Sequence, residues 1–195
     1  IRNQHIICDG KILFADKRDN LDEFLLNAYT SLEIEYPKFY KMDTLSKLGF
    51  LGAEVLLKNR EITKEYAPEN VSLILSNAHA SLDTDLKYSE AAKQVSSPAL
   101  FVYTLSNIVS GEICIRHKIK GENAFFVSEK FDAELITSYV NLILSPEFPM
   151  PNPSMPNTCI SGWVDVLGEQ HDVFLYLCEK NKPGLRPHTA AQVSE

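Results

Sequence analysis

The sequence holds 195 residues at 22.0 kDa, a size suited to one domain, because a chain of that length buries roughly 70% of its unfolded surface without a covalent staple. A hydrophobic share of 45% beside 23% charged residues excludes the wholly disordered, collagen-like and disulfide-scaffold classes. The formal net charge of -7 repels a phosphate-covered partner at long range, so nucleic acid is not an expected partner.

The first residues read as a hairpin: His5-Ile6-Ile7-Cys8 and Lys11-Ile12-Leu13-Phe14 flank Asp9-Gly10, a dipeptide that accepts positive φ at low cost. Leu21, Phe24, Leu25 and Ala28 then fall on one face of a short helix. Tyr36-Pro37-Lys38-Phe39-Tyr40 breaks that pattern, and a second helix begins near Asp43, whose carboxylate suits an N-cap. Leu45, Leu48, Gly49, Gly52, Val55 and Leu56 share its buried face, and the two glycines predict close approach to another backbone.

Val71-Ser72-Leu73-Ile74-Leu75-Ser76 is apolar and too short for a helix, which predicts a buried parallel strand. A loop and helix follow through Asp83 and Asp85 to about Gln94. Helical spacing of Ile108, Val109, Cys114 and Ile115 places a helix between Ser106 and Ile119, closed by Gly121, and Ala124-Phe125-Phe126-Val127 supplies another buried strand. A third long helix runs from about Asp132, its expected cap, to Leu144, with Leu135, Ile136, Tyr139 and Ile143 facing inward.

Between Ser145 and Asn157 stand Pro146, Pro149, Pro151, Pro153 and Pro156, half of the chain's 10 prolines. They exclude regular structure there and predict a stiff, extended surface crossing. Two strands, Ile160 to Leu167 and Asp172 to Cys178, flank Gly168-Glu169-Gln170-His171. The expected organisation is a single domain over residues 1–182, with the crossing at 145–157, and a polar tail over 183–195. Alternating strands and helices predict an α/β layered sheet with helices on its faces, made mixed by the terminal hairpin.

Cys8, Cys114, Cys159 and Cys178 show no CxxC spacing and read as reduced thiols, buried in the case of Cys8, Cys114 and Cys178, which lie in apolar periodic segments. No apolar run approaches the roughly 18 residues of a membrane span, and no basic-then-apolar leader opens the chain, so the expected compartment is the cytoplasm. Arg116, His117, Lys118 and Lys120 form the densest basic patch, a pattern commonest at solvated helix ends.

From Pro98 to Val127, the residues Pro98, Asn107, Ser110, Gly111, Gly121 and Asn123, followed by the strand Ala124 to Val127, stand in the order found in the amino-terminal half of β-ketoacyl synthases. The chain resembles that thiolase-like family, and Ser46-Lys47-Leu48, Gly52-Ala53-Glu54, Gly162 to Asp165 and Phe174 to Leu177 extend the resemblance over most of its length. It implies a thiolase-like half-fold with one α/β unit. In the family a cysteine nucleophile opens the helix after this strand, where unpaired N–H groups and the macrodipole favour thiolate. Counting from Gly121 and Asn123, Lys130, plus or minus one residue, occupies that position. An ammonium group there is electrostatically mismatched and forms no labile thioester. The family's two histidines belong to a second half that this sequence does not contain, and His188-Thr189-Ala190-Ala191 after Pro187 is only a faint echo of one such motif.

Other chemistry has few candidates. Ser128 stands near the vacated position, though a serine there is more often a helix cap, and Cys159 beside the Pro-rich crossing is the expected exposed thiol. Lys130 next to Glu129 reads as a solvated or paired residue, with a reactive desolvated lysine as the sharper alternative. His79 with Asp83 and Asp85 is the one cluster with cation-binding residue types, but Asp83-Thr84-Asp85 is equally a loop and cap sequence; no metal and no cofactor is expected.

The resemblance implies a non-catalytic, chain-length-factor-like subunit in fatty-acid-type or polyketide-type (aryl-polyene-like) biosynthesis. It would pair with an active ketosynthase or with itself as a dimer through strand 124–127, in the neighbourhood of an acyl-carrier protein. Phe125, Phe126 and Phe131 would line or plug an acyl channel, unless they serve the core alone. The alternatives are a stand-alone acyl or acyl-carrier-protein binding module, and a thioesterase or acyltransferase using Ser128 or Cys159.

Overall fold

The computed structural model describes residues 1–16, 20–94, 97–145 and 157–180. The chain opens with a hairpin of β1 (His5–Cys8) and β2 (Lys11–Ala15), whose turn residues Asp9 and Gly10 have φ of 48° and 73°. Both values lie in the left-handed region that a two-residue turn of this kind requires. Next comes α1 (Leu21–Ser31), capped by the Asn20 side chain, and then a 3₁₀ turn, Pro37–Lys41. The helix α2 (Thr44–Leu56) starts where Asp43 Oδ1 accepts the Ser46 N–H at 2.9 Å, as expected of that cap.

The order continues with α3 (Ile62–Glu65), β3 (Val71–Asn77), α4 (Leu82–Ala92), α5 (Pro98–Val102), α6 (Ile108–His117), β4 (Asn123–Val127), α7 (Ala133–Leu144), β5 (Thr158–Leu167) and β6 (Gln170–Glu179). The main sheet has 4 strands in the order β4-β3-β5-β6. β3 runs parallel to both β4 and β5, while β5 and β6 pair antiparallel. The protein is therefore α/β with a mixed sheet, and the closing hairpin is what mixes it.

Strand alternation divides the packing. Leu73 and Leu75 of β3, with Ile160 and Val164 of β5, face a large core completed by Leu48 and Leu51 of α2 and Val109 and Ile113 of α6. Ile74, Cys159 and Cys178 face the other way, against Ile136, Val140 and Ile143 of α7. Each large side chain buried here contributes roughly 1.5–3 kcal/mol relative to exposure. Gly49 and Gly52 are closely approached, but by side chains rather than by another backbone: a Cβ on Gly49 would lie 2.4 Å from Val109 Cγ2, and one on Gly52 3.0 Å from Leu175 Cδ1.

Several expectations are corrected. β4 is an edge strand, half-buried at Ala124, Phe125 and Phe126 and exposed at Asn123 and Val127, because only β3 pairs with it among the described residues. The helix α6 ends at Lys118, whose φ of 57° turns the chain, rather than at Gly121. Its buried face is Val109, Ser110, Glu112 and Ile113, leaving Ile115 63% exposed. On α7, Thr137 and Val140 join the buried face and Leu135 is exposed, while Tyr139 is half-buried against the same cluster. Cys8 and Cys114 are half-buried rather than buried. The short helices α3 and α5 add to the expected elements, since runs of 4 and 5 residues carry no periodic signal.

The basic patch is absorbed locally: Arg116 and His117 both meet Glu54, at 2.8 and 3.2 Å, and Arg116 lies over the Tyr36 ring. Among the described residues, no helix is long and apolar enough to cross a membrane. The Pro-rich crossing at 146–156, the tail at 183–195 and the His188 motif lie outside the described residues.

Candidate functional site

Parallel strands gather their carboxyl ends on one side of a sheet, where side chains from distant segments converge. Register fixes which residues meet here. Asn77 pairs with Val127, and Ser76 with Trp163, so the chain leaving β3 at Ala78 and His79 passes between Ser128-Glu129-Lys130 and Asp165. The Ser128 N–H donates to the Asn77 carbonyl at 3.0 Å and holds this turn against β3.

Asp165 organises the meeting. Its Oδ1 accepts the backbone N–H groups of Ala78 and His79, each at 3.1 Å, and its Oδ2 lies 2.8 Å from His79 Nδ1. Two residues back on β5, and therefore on the same face, stands Trp163, paired across the ladder with Phe174. Phe131 closes on both, its ring centroid 4.7 Å from that of Phe174 and 6.2 Å from that of Trp163. A cleft of about 990 Å³ opens here, bounded by His79, Lys130, Phe131, Trp163, Asp165 and Phe174 among others. Asp172, opposite Asp165, is held by a two-pronged hydrogen bond from Arg2 at 2.9 and 2.6 Å.

The candidate nucleophiles fare differently. Lys130 is exposed and precedes the helix: Asp132 is the cap, its Oδ1 accepting the Leu135 N–H at 2.9 Å, so Lys130 does not occupy the first turn of α7. Neither Lys130 nor Glu129 forms an ion pair among the described residues. Ser128 does not cap the helix; its hydroxyl donates to the Lys130 carbonyl at 2.8 Å, and no imidazole receives it. Cys159 corrects the expectation of an exposed thiol. It is fully buried beside Cys178 under α7, and burial, with the neighbouring Cys178, pushes its thiol well above the ordinary range. Burial likewise raises the Cys178 thiol to about 11. Neither thiol is a nucleophile in the folded chain.

The phenylalanines divide between the sheet faces. Phe125 packs on the large core, whereas Phe126 and Phe131 pack on the α7 side, where Phe126 meets Tyr139 edge-on at 5.2 Å. Only Phe131 reaches the cleft. Ala124 packs against the α7 cluster and Val127 is 56% exposed.

Of the motif residues, Pro98 opens α5 behind its Ser97 cap, and Asn107 precedes α6 with its carbonyl accepting the Gly111 N–H at 3.2 Å. Ser110 is buried, Gly111 faces open space, and Asn123 Nδ2 donates to Cys114 Sγ at 3.2 Å. The His79, Asp83 and Asp85 cluster separates: His79 turns to Asp165, Asp83 to Lys87 and the Gly168 N–H, and Asp85 to the Ser81 hydroxyl. No group of metal-binding side chains exists among the described residues. The pairing of His79 with Asp165 escapes a reading of the sequence because 86 positions separate the partners; the one signal for it is a histidine just beyond a fully buried strand.

No family model matches the chain, and no curated protein matches it. Among solved structures it is similar to a chain in the complex of the ketosynthase ApeO with its chain length factor ApeC from Xenorhabdus doucetiae, with a TM-score of 0.49 and 12% identity. The match covers 69% of this chain and 50% of that one, so the chain aligns with half the length of its solved neighbour.

Proposed function

We propose that this chain is a non-catalytic, ketosynthase-like subunit with a thiolase-like half-fold, which pairs along β4 with an active ketosynthase and supports fatty-acid-type or polyketide-type biosynthesis. The observation that carries the reading is the edge strand. β4 reads Asn-Ala-Phe-Phe-Val, without a charge or proline, and its outer row of N–H and C=O groups has no partner among the described residues. Natural sheets guard such edges with lysine, proline, bulges or cover. The opposite edge, β6, is guarded in this way, carrying His171, Asp172 and Glu179, with Asp172 gripped by Arg2 and Glu179 by Arg60. An apolar, unguarded strand whose phenylalanines anchor it on both sheet faces suits continuation of the sheet into a second subunit.

A vacated nucleophile position fits the same role. The residues from Pro98 to Asn123 that resemble the ketosynthase pattern lead to a turn holding Ser128 and Lys130, neither of which has an activating base among the described residues; Cys8, half-buried, borders the same cleft with its thiol pushed up by burial, and Cys159 and Cys178 are buried. Burial of Cys159 argues against acyl transfer through that residue.

The test is affinity purification of the chain from its native cell, followed by mass spectrometry and light scattering. Recovery of a cysteine-bearing ketosynthase in defined stoichiometry supports the reading. A soluble monomer whose β4 amides exchange slowly would show that the chain covers its own edge, and overturns it; a monomer carrying bound lipid favours the stand-alone acyl-binding module.

A further inference from the structure

Asp165 fixes the chemistry that His79 offers the cleft. An ionised carboxylate only accepts hydrogen bonds. With Asp165 Oδ2 at 2.8 Å, Nδ1 of His79 must therefore carry its hydrogen toward the carboxylate, and in the neutral ring Nε2 bears the lone pair. The second carboxylate oxygen is already committed to two backbone N–H groups, so this orientation does not compete with rotation of Asp165. A side chain held this way by backbone and carboxylate presents a directed acceptor rather than a freely rotating one.

The same sheet face supplies an apolar wall. Trp163 and Asp165 are alternate residues of β5, which places their side chains about 7 Å apart on one surface. Phe174 stands opposite Trp163 in the ladder, and Phe131 meets both edge-on. An acceptor beside three aromatic rings in a cleft of about 990 Å³ offers a small molecule an apolar surface and a directed hydrogen bond, within a lining that also holds Arg2, Asp9, Glu129, Lys130 and Asp172. The charged residues around the cleft are of both signs, Asp9, Glu129, Asp165 and Asp172 standing beside Arg2 and Lys130, so they select neither an anionic nor a cationic ligand.

We propose that the cleft binds a neutral, apolar molecule ending in a hydroxyl group, the chain or ring resting on Phe131, Trp163 and Phe174 and the hydroxyl donating its hydrogen to His79 Nε2. Asp165 is the positioning residue, acting through His79. The site requires no pairing along β4, so it stands or falls independently of the subunit reading.

The experiment uses the full chain at about pH 8, above the ordinary imidazole range, titrated with n-hexanol and, separately, with methyl n-hexyl ether, which keeps the apolar chain and lacks the donor. Trp163 is the only tryptophan in the chain, so intrinsic fluorescence reports occupancy of the wall. Nitrogen NMR of labelled histidine reports Nε2, with His79→Phe assigning the resonance. The expected result is saturable fluorescence change with both ligands, about fivefold tighter for the alcohol, as one hydrogen bond supplies. Only the alcohol moves the His79 Nε2 resonance, and His79→Phe removes its advantage while the ether still binds. Equal affinities, no saturable response to either ligand, or an advantage that survives in His79→Phe overturns the proposal. The alcohol-to-ether comparison on the unaltered chain decides the matter even where the variant folds poorly.

Discussion

Gly121 sits against Val71 so closely that a Cβ built on it would lie 2.4 Å from the Val71 carbonyl oxygen and 2.8 Å from the carbonyl carbon. The Gly121 N–H donates to that same oxygen at 3.0 Å, joining the approach to β4 to the first residue of β3. Both obstructing atoms are backbone, so no rotamer change relieves the contact. Gly121→Ala is expected to lose about 1–3 kcal/mol, the usual cost of overpacking, measured as a lower midpoint in urea with an unchanged slope. Gly111→Ala, facing open space in a helix, is the control and should not destabilise.

Glu54 supplies a pH dependence of defined sign. Burial pushes its carboxyl up, but hydrogen bonds from His117 and Arg116 outweigh burial and hold it at about 2 instead of 4.5. A carboxylate depressed in the folded state adds stability that is fully present above its unfolded value and is lost as pH falls through its folded value. The stability difference between the native chain and Glu54→Gln is therefore expected to be fully present at about pH 5 and to shrink toward pH 2. Denaturant midpoints of both proteins across that range check this; a difference that widens on acidification contradicts the ion-pair account.

Cys159 and Cys178 face each other across the β5–β6 ladder under α7, both free and buried. Native protein treated with a chromogenic disulfide is expected to leave both unlabelled over hours, while denaturant exposes them together. Cys159→Ser places a hydroxyl in an apolar cluster and should cost about 1–3 kcal/mol. Rapid native labelling of Cys159, mapped by peptide mass, would mean that the α7 side opens readily.

Val127 ends the edge strand with 56% of its surface exposed. Val127→Lys adds one of the charges that natural edges use against pairing, at an exposed position where substitutions usually change stability by no more than about 0.5 kcal/mol. The expected outcome is unchanged melting of the isolated chain with at least tenfold weaker association with the proposed ketosynthase partner, read by calorimetry. Undiminished association would move the interface away from β4.

Much of this molecule is legible in its local chemistry alone. The Asp9-Gly10 turn, the caps at Asp43 and Asp132, and the apolar run from Val71 to Leu75 each depend on a few neighbouring residues. Such signals survive whatever the rest of the chain does. The same logic places Ser128 to Phe131 between a strand and a helix, and accounts for the tight fit around Gly49.

What escapes the linear pattern is rank within the sheet. An apolar run such as Ala124 to Val127 looks the same at a centre or an edge, and its place is set by which other strands pair with it. A Pro-rich stretch before Cys159 suggests an exposed thiol, yet pairing with β3 on one side and β6 on the other, under α7, buries it completely. The bond between His79 and Asp165 exists because β3 and β5 lie parallel in one register, a long-range choice made by the whole hydrophobic core. Short-range propensity writes the elements; only their mutual packing decides which side chains share a cleft.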